Sequence, residues 1–473
     1  MNTRTIKTVA SALVSVIVMT GCSSDKLDLY PETQNTANNY YTNKDQLRKG
    51  VNGAYSALQL FGQYQIANLV LGELPSDNTW DEVPANDAGV CGQIDEFDMT
   101  SSNSIIEQSW SDNYIGIQQC NVVLNRIQGL KGLDEATRKQ TEGEMKFLRA
   151  LMYFNLVRIF GDVPLVTQET TNVNDYFGQG RTPSAQVYAQ IVSDLAEAAD
   201  ELPSTAPQRG RATKYAALGI LGKVYLTMKQ YDLAAKCLNQ IVASGKYKLL
   251  DDPARVFAVD NKGNKEIIFD VQFESGLNGS TEGSDAFRYF SPSGTVNGAK
   301  GHNIPTREVY GLFGSQDKRR TAYFKQTTGN VASNKFFQTS DIISDGGTNT
   351  VVLRYADVLL MLSECDAQLG LMAEANGLLN QIKRRAGVGE VNISDKASLL
   401  EEIALERRKE LVCEGSRWFD LVRTGKAVET MNRYFKNTAG QTSISITDDD
   451  LVQPIPQSQI DTDPAIKQNK GYN

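Results

Sequence analysis

The chain has 473 residues, with 48 basic and 56 acidic side chains and a formal net charge of −8. This acidic balance argues against a nucleic-acid partner, because binding to phosphates requires clustered Lys and Arg. The single histidine, His302, excludes every catalytic or metal scheme that requires two histidines.

The first segment of the chain has the pattern of a lipoprotein signal. Two basic residues, Arg4 and Lys7, precede the apolar stretch 9–20, and polar residues begin directly after Cys22. The apolar stretch is too short for a stable transmembrane helix, so we expect residues 1–21 to be cleaved. Acyl chains on Cys22 would then hold the protein at a membrane. The alternative is an ordinary secretory signal followed by a chance cysteine.

Three stretches in the first third of the chain have helical periodicity. Apolar residues recur every three or four positions over 46–60 and 110–127, which predicts two amphipathic helices. The stretch 145–160 is apolar on several sides and ends at Gly161. We expect this stretch to form a central, buried helix.

Residues 218–241 have the spacing of a tetratricopeptide repeat, in which the small Gly222 lets two antiparallel helices approach closely. Similar hairpins with looser spacing are predicted at 355–385 and around 147–154. Stacked repeats normally follow one another directly in sequence. These scattered units therefore favour a helical scaffold with long insertions over a regular solenoid.

Two long stretches interrupt the helical pattern. Residues 62–104 and 251–350 are rich in Gly, Asn and Asp, and 266–271 has the composition of a strand. Segments of this length are usually functional or disordered, and their aromatic residues argue against disorder. The sequence thus predicts one mostly α unit over 22–473, with tetratricopeptide-like helical hairpins, long loop-rich insertions and a few short strands. The predicted scaffold covers about 40–61, 105–250 and 351–430, and the irregular regions cover about 62–104 and 251–350.

The remaining cysteines give no sign of a disulfide framework or a zinc site, because they lack the close spacing that either requires. We expect buried free thiols that pack as small hydrophobic groups. The chain also has no Walker A motif and no Rossmann glycine fingerprint, so we expect no cofactor. These cysteines are Cys91, Cys120, Cys237, Cys365 and Cys413.

Several motifs together resemble the SusD/RagB family of outer-membrane nutrient-binding lipoproteins over essentially the whole chain. Cys22 is followed by Leu27, Asp28 and Pro31, as at the start of that family's members. Each motif alone is weak, and the combination is specific. The other motifs are GEMKFLRA at 143–150, FGDVPL at 160–165, LRYADVLL at 353–360, ERRKEL at 406–411, RWFDL at 417–421 and PIP at 454–456.

The resemblance implies four tetratricopeptide-like hairpins with a loop-rich part mounted on them. It also implies a lipid-anchored protein of the outer membrane, facing the cell exterior, that captures an oligomeric nutrient. The nutrient is usually a glycan, and the expected partner is a SusC-like TonB-dependent transporter, which receives it uncleaved. No catalytic residue and no metal are expected. The alternatives are a peptide held by backbone pairing, a glycoside hydrolase, and a structural lid without its own ligand.

The most tempting catalytic feature is a series of glutamates on one predicted helix. Glu402, Glu406, Glu410 and Glu414 recur every four residues, which stacks their carboxylates on one face. A di-iron site needs Glu-x-x-His pairs, which this helix lacks, and basic residues lie within reach, so we predict a charged structural network. A carboxylate pair for glycoside hydrolysis stays open, because the required separation is spatial. The basic residues are Arg407, Arg408, Lys409 and Arg417.

The first candidate ligand site is the segment DNTWD at 77–81. A flat indole ring offers a platform to a sugar ring, and neighbouring amide and carboxylate groups hydrogen-bond to hydroxyls. Asp77, Asn78 and Trp80 are therefore the predicted ligand contacts. The alternative is that Trp80 packs the loop onto the scaffold, because tryptophan is highly buried on average.

The resemblance implies that further ligand contacts come from the large irregular region, where Arg288 and Tyr289 are the candidates. Core packing is the alternative for both. Arg354 opens a predicted helix, where its planar guanidinium can bind ligand oxygens or form a buried ion pair. For His302 we expect a loop position without a ligand contact. Around Asp81, a solvated acidic loop is favoured over a calcium site, because no EF-hand spacing is present.

Overall fold

The computed structural model describes residues 41–172, 174–336 and 342–472. Residues 1–21 and Cys22 lie outside these ranges, so the cleaved signal and the lipidation site stay predictions. Seventeen α-helices fall within the described ranges, and the predicted mostly α fold class is confirmed. The helices are α1 Lys44–Ala57, α2 Ala67–Glu73, α3 Val90–Asp95, α4 Ser104–Arg126, α5 Glu135–Phe160, α6 Ser184–Glu201, α7 Lys214–Thr227, α8 Tyr231–Ala243, α9 Ala286–Tyr289, α10 Arg307–Gly311, α11 Arg319–Ala322, α12 Tyr355–Leu369, α13 Met372–Ala386, α14 Lys396–Glu410, α15 Arg417–Thr424, α16 Ala427–Tyr434 and α17 Gln457–Thr462.

Helix α5 lies at the centre of the scaffold, where it packs between α4 and α6. The Asp134 side chain caps its first turn by accepting a hydrogen bond from the Thr137 backbone N–H, and Gly161 ends it with a φ of 74°. Its second half is buried on all sides, including Phe147 and Tyr153. The prediction of a central buried helix is confirmed. The helix begins at Glu135, before the predicted stretch 145–160. Its first turns are polar, so the sequence there shows no apolar periodicity that would predict a helix.

Helical hairpins form where the repeat spacing predicts them. Helices α7 and α8 pack against each other over the predicted hairpin at 218–241, and α12 packs on α13 over 355–385. At Gly222 an added Cβ would lie 2.8 Å from Cδ2 of Leu238, closer than side-chain carbons approach. The absence of a side chain at Gly222 therefore sets the distance between the two helices.

Within the described part of the chain, six short strands form three two-stranded antiparallel sheets. They are β1 Thr79–Trp80, β2 Ile267–Val271, β3 Ile304–Pro305, β4 Phe324–Gln326, β5 Val331–Ser333 and β6 Thr350–Arg354. The predicted strand at 266–271 is confirmed as β2, which pairs with β6 and so joins the two ends of the long insertion. Strand β1 pairs with β3, and Trp80 lies opposite Ile304.

The region 62–104 is more regular than the sequence indicates, because it contains α2, α3 and β1. All seven residues of α2 are buried. A short helix that is buried on every side has no amphipathic period, so its sequence carries no helical signal. The helix packs closely on the scaffold: a Cβ at Gly72 would lie 2.0 Å from the carbonyl oxygen of Gly415.

The five cysteines of the described residues are free and buried, as the sequence predicts. Burial raises the pKa of the Cys120 thiol to about 12, which keeps it protonated and unreactive at neutral pH. In the described ranges, no helix combines the length and the apolar character needed to cross a bilayer.

Candidate functional site

Three segments that are far apart in sequence lie side by side in the loop-rich part. Segment 300–304 lies between 79–82 and 288–291, and we call the surface of these three segments the loop face. On one side, the Glu82 N–H donates to the Gly301 carbonyl at 2.9 Å. On the other side, three N–H groups of the middle segment donate to carbonyls of the third segment, each at 3.0 Å. Backbone hydrogen bonds therefore bring the two groups of predicted ligand contacts together.

Trp80 is the tryptophan that keeps part of its surface exposed. Trp110 and Trp418 are only 3% and 2% exposed and belong to hydrophobic cores. Trp80 lies at the boundary between core and solvent, on a backbone held by the pairing with Ile304. An aromatic ring with a fixed backbone and an accessible surface is what stacking on a ligand requires.

Arg288 and Tyr289 lie across the middle segment from Trp80 and differ in exposure. The Arg288 side chain is 32% exposed, and its Nε donates to Oδ1 of Asp285 at 2.7 Å. Tyr289 is 9% exposed, and its ring centroid lies 5.6 Å from that of Phe61 and 5.5 Å from that of His302. The structure therefore gives Tyr289 a packing role and leaves Arg288 at the surface.

Glu82 and Lys300 add charged groups that the sequence analysis did not select as ligand contacts. Oε2 of Glu82 accepts a hydrogen bond from the Ser293 N–H at 2.7 Å, and Oε1 accepts one from Nδ2 of Asn330 at 2.5 Å. Nζ of Lys300 lies 2.6 Å from Oδ1 of Asp87. The sequence could have indicated Glu82, because it lies close to Trp80 in the chain. Lys300 and Asn330 are far from Trp80 in the chain, and no local pattern indicates them.

His302 lies in a loop, as expected, and its side chain is fully buried within the protein. Its Nδ1 lies 2.9 Å from Oδ1 of Asp81, and its Nε2 lies 3.1 Å from Oδ2 of Asp87. Burial by itself lowers the pKa of His302, but the two carboxylates outweigh that effect and raise it. An acceptor at each ring nitrogen favours the imidazolium form of the ring, which can donate a proton to both carboxylates.

Asp81, Cys91 and His302 place possible metal-binding atoms within 4.8 Å of one another. To bind here, a metal ion would have to take a ring nitrogen of His302 away from the carboxylate that it faces, and both ring nitrogens face carboxylates. It would also have to displace a proton from Cys91, whose pKa burial and the nearby Asp81 raise well above the usual range. This donor set therefore suits an imidazolium between two carboxylates better than it suits a metal ion.

Asp77 and Asn78, two predicted ligand contacts, are turned inward and are 3% and 1% exposed. Oδ1 of Asp77 lies 2.8 Å from Nε of Arg417, and Oδ2 lies 3.1 Å from Nη2 of Arg408. Asn78 donates to Glu73 at 2.7 Å and accepts from Arg408 at 2.8 Å. Burial raises the pKa of Asp77, but the two guanidinium groups lower it below its usual range. These side chains attach the loop to α14 and α15, and the structure corrects their predicted role.

Arg354 is likewise corrected, because it is 1% exposed and all its nitrogens bind protein oxygens. Nε and Nη2 donate to Glu414 at 2.8 and 2.7 Å. Nη1 donates to Glu410 at 2.7 Å and to Glu266 at 3.0 Å. Of the two roles that the sequence left open for Arg354, the buried ion pair is the one present in the structure.

The predicted charged structural network is confirmed, although its cations come from other elements than expected. Burial raises the pKa of Glu410, but the surrounding guanidinium groups outweigh it and hold the pKa well below its usual range. The four basic residues near the glutamates in sequence pair instead with aspartates and a glutamate outside the series. The cations that do pair with the glutamate series are Arg319, Lys335, Arg354, Lys383 and Arg385.

The structure defines a class of mostly helical protein whose hairpins carry a loop-built face with a partly exposed aromatic ring. Residues 316–472 match the family model described as the SusD family. Residues 27–226 match the model described as starch-binding and associating with the outer membrane. The chain belongs to the SusD family, and the predicted SusD/RagB resemblance is confirmed.

Similar proteins match over nearly the whole length. A SusD-like protein of Formosa agariphila is 25% identical, and the match covers 97% of this chain and 97% of that protein. A solved structure of a laminarin-binding SusD-like protein is 28% identical, with a TM-score of 0.79, and covers 91% of this chain and 100% of its own. Surface glycan-binding protein A from Bacteroides fluxus is 26% identical, with a TM-score of 0.79 and coverages of 91% and 100%.

Proposed function

We propose that this protein binds an oligomeric glycan on the loop face, with Trp80 as the central contact. The observation that carries the proposal is the partial exposure of Trp80 on a loop face in a SusD-family chain, whereas the other two tryptophans are buried. Sugar rings have apolar faces that pack on an indole, and their hydroxyls hydrogen-bond to polar groups at the edge of the ring.

Polar groups near Trp80 suit such a ligand. Arg288 and Lys300 keep part of their side chains exposed and can donate hydrogen bonds to sugar hydroxyls. The Glu82 carboxylate oxygens each accept one protein hydrogen bond and can accept another. Few contacts on an open face imply weak capture, on the order of micromolar to millimolar, because ordering costs offset most of the contact energy.

The test is isothermal titration calorimetry with laminarin oligosaccharides, starch oligosaccharides and a peptide pool. Laminarin comes first, because a 28% identical relative is described as binding it. We expect Trp80→Ala to weaken glycan binding by about tenfold or more, equivalent to about 1.4 kcal/mol. The matched control is Phe177→Ala, which removes another exposed aromatic ring outside the loop face. Equal affinities for the wild type and Trp80→Ala would refute the assignment of the site.

Calorimetry and two further assays separate the alternative functions. Binding heat with the peptide pool and none with the glycans would show that the ligand is a peptide and not a glycan. New reducing ends after incubation with the best-binding glycan, abolished by one Asp or Glu substitution, would establish a glycoside hydrolase. Unchanged glycan uptake in cells that carry Trp80→Ala would favour a structural lid without its own ligand.

We further propose that lipid on Cys22 anchors the protein to the outer membrane, facing the exterior, and that a SusC-type TonB-dependent transporter receives the glycan. The signal pattern before Cys22 and the family membership support this proposal. Mass spectrometry of the mature N-terminus should detect acyl chains, and Cys22→Ala should release the protein from the membrane fraction. A wild-type protein that is found without lipid, or that never co-purifies with a transporter barrel, would overturn it.

A further inference from the structure

Arg158 on α5 is a partly buried guanidinium group without an ion pair among the described residues. Its central carbon lies 4.0 Å from the ring centroid of Phe154 and 4.2 Å from that of Phe419. Nε donates to the Phe154 carbonyl at 3.0 Å, and Nη2 donates to Oδ1 of Asn155 at 2.9 Å. We find no acceptor for Nη1 in the described part of the chain, so this nitrogen keeps two N–H groups to donate.

A buried side-chain amide without hydrogen-bond partners lines the cavity beside Arg158. Asn68 on α2 is 7% exposed, and neither its Nδ2 nor its Oδ1 has a hydrogen-bond partner within the described ranges. Tyr64, Asn155 and Ser416 also line this cavity. Nearly all buried polar groups in proteins are hydrogen-bonded, so a buried amide with two free atoms indicates an additional partner.

The other charged groups that line the cavity are already paired. Nζ of Lys223 lies 2.7 Å from Oδ2 of Asp357, and Glu414 binds Arg354 and Lys335. Among the described residues that line the cavity, the charged group without a direct ion pair is therefore a cation, Arg158. Burial lowers the pKa of Arg158 from its ordinary value, and the nearby carboxylates Asp420 and Asp357, which form no ion pair with it, offset that effect only in part.

The size of the cavity limits what can enter it. It offers about 50 Å³ to the centres of water-sized molecules. One water needs about 10–15 Å³ on this scale, so the space fits a small oxyanion and excludes a sugar ring. We propose that Arg158 and Asn68 form a binding site for an oxyanion of carboxylate or sulfate size. Guanidinium and amide N–H groups are the donors that such anions prefer.

The oxyanion has two conceivable sources, a free ion or the charged substituent of an acidic sugar whose ring stays outside the cavity. Titration calorimetry with sodium sulfate, sodium acetate and sodium galacturonate, at an ionic strength matched with sodium chloride, separates them. Binding of sulfate and acetate without a gain for galacturonate supports the site and assigns a free ion. Tighter binding of galacturonate than of acetate supports the site and assigns a sugar-borne group.

The position of the bound oxyanion is tested directly by anomalous diffraction from crystals soaked in selenate, an analogue of sulfate. We expect a selenium peak beside Arg158 and Asn68. We also expect Arg158→Gln to weaken sulfate binding by about tenfold, because a charge-assisted hydrogen bond is lost. The control Arg384→Gln removes one positive charge from an exposed arginine and should leave binding unchanged.

Asn68→Leu is the second variant, and it keeps the test valid if Arg158→Gln does not fold. We expect Asn68→Leu to weaken sulfate binding while circular dichroism stays unchanged. Trp80→Ala should retain sulfate binding, which separates this site from the proposed glycan site. A selenium map without a peak in the cavity, or equal sulfate affinity in both variants and the wild type, would overturn the proposal.

Discussion

Oδ1 of Asp81 lies 2.9 Å from Nδ1 of His302, although 221 residues separate them in the chain. Asp81 directly follows Trp80, and His302 lies in the middle segment of the loop face. The second ring nitrogen of His302 binds Asp87 at 3.1 Å. This buried ion pair therefore joins the early loop to the insertion at the place where the proposed glycan contact lies.

The raised pKa of His302 predicts a pH-dependent stability. The two carboxylates raise the pKa of His302 above its unfolded value of about 6.5. Their stabilising effect is complete below that unfolded value and is lost as the pH rises through the folded pKa. We expect the lost stabilisation to be about 1–2 kcal/mol, the order of a hydrogen bond to a charged group. Urea unfolding between about pH 6 and pH 9 measures it.

His302→Gln is the control for this effect, because it removes the titrating ring and leaves the surrounding charged groups in place. The wild type should exceed the variant in free energy of unfolding at low pH, and the difference should shrink as the pH rises. A difference that does not change with pH would mean that His302 is buried in its neutral form.

Removal of the Arg354 guanidinium should destabilise the fold. Arg354→Gln leaves Glu266, Glu410 and Glu414 without the cation that binds all three. We expect a loss of about 3–5 kcal/mol in the free energy of unfolding, because three buried carboxylates each lose one of their cationic partners. Arg384→Gln breaks an exposed pair and should cost less than about 1 kcal/mol. Similar costs for the two variants, from urea unfolding, would contradict the structural role of Arg354.

Asp366 on α12 should destabilise the protein at neutral pH. Burial, and to a lesser extent Glu374, raise its pKa to about 6. The folded protein must therefore ionise a carboxyl group that ionises more easily when unfolded, and stability falls as the pH rises from about 4 to about 6. Asp366→Asn should raise the free energy of unfolding by about 1 kcal/mol at pH 8 and leave it unchanged at pH 3. An equal effect at both pH values would exclude this cause.

Substitution of two helical glycines by alanine should change the stability of the protein in opposite directions. At Gly222 the new Cβ would lie 2.8 Å from Cδ2 of Leu238, so Gly222→Ala should cost about 1–3 kcal/mol. Gly377 in α13 is exposed, and nothing lies within 4 Å of an added Cβ. Gly377→Ala should therefore stabilise the protein by about 0.5–1 kcal/mol. Thermal unfolding of both variants tests the pair, and a shift of the same sign in both would contradict the close approach of α7 and α8.

The helical part of the fold was largely predictable. The apolar spacing of 145–160 and 218–241 indicated the central helix and one hairpin, because helical periodicity involves residues three or four positions apart. The short helix Ala67–Glu73 was missed, since it is buried on every side and has no polar face. The β1–β3 pairing was also missed, because its partners Trp80 and Ile304 belong to separate regions of the chain.

The candidate site was less predictable. Asp77 and Arg354 looked like ligand contacts because the sequence shows their chemical type and not their partners. Asp77 binds Arg417, 340 residues away, and Arg354 binds Glu414, 60 residues away. No local pattern encodes such distances. The burial of His302 within its loop could not be predicted for the same reason, since its two carboxylates come from the region before α4.

By itself, the sequence determined the helical hairpins, the motifs of the SusD family and the expected signal before Cys22, because each is written in neighbouring residues. Only the tertiary structure decided that Trp80 is partly exposed while Asp77, Asn78 and Arg354 are used internally. The physical reason is desolvation. Burial of a charged side chain costs least where opposite charges meet it, and folding alone brings those distant charges together.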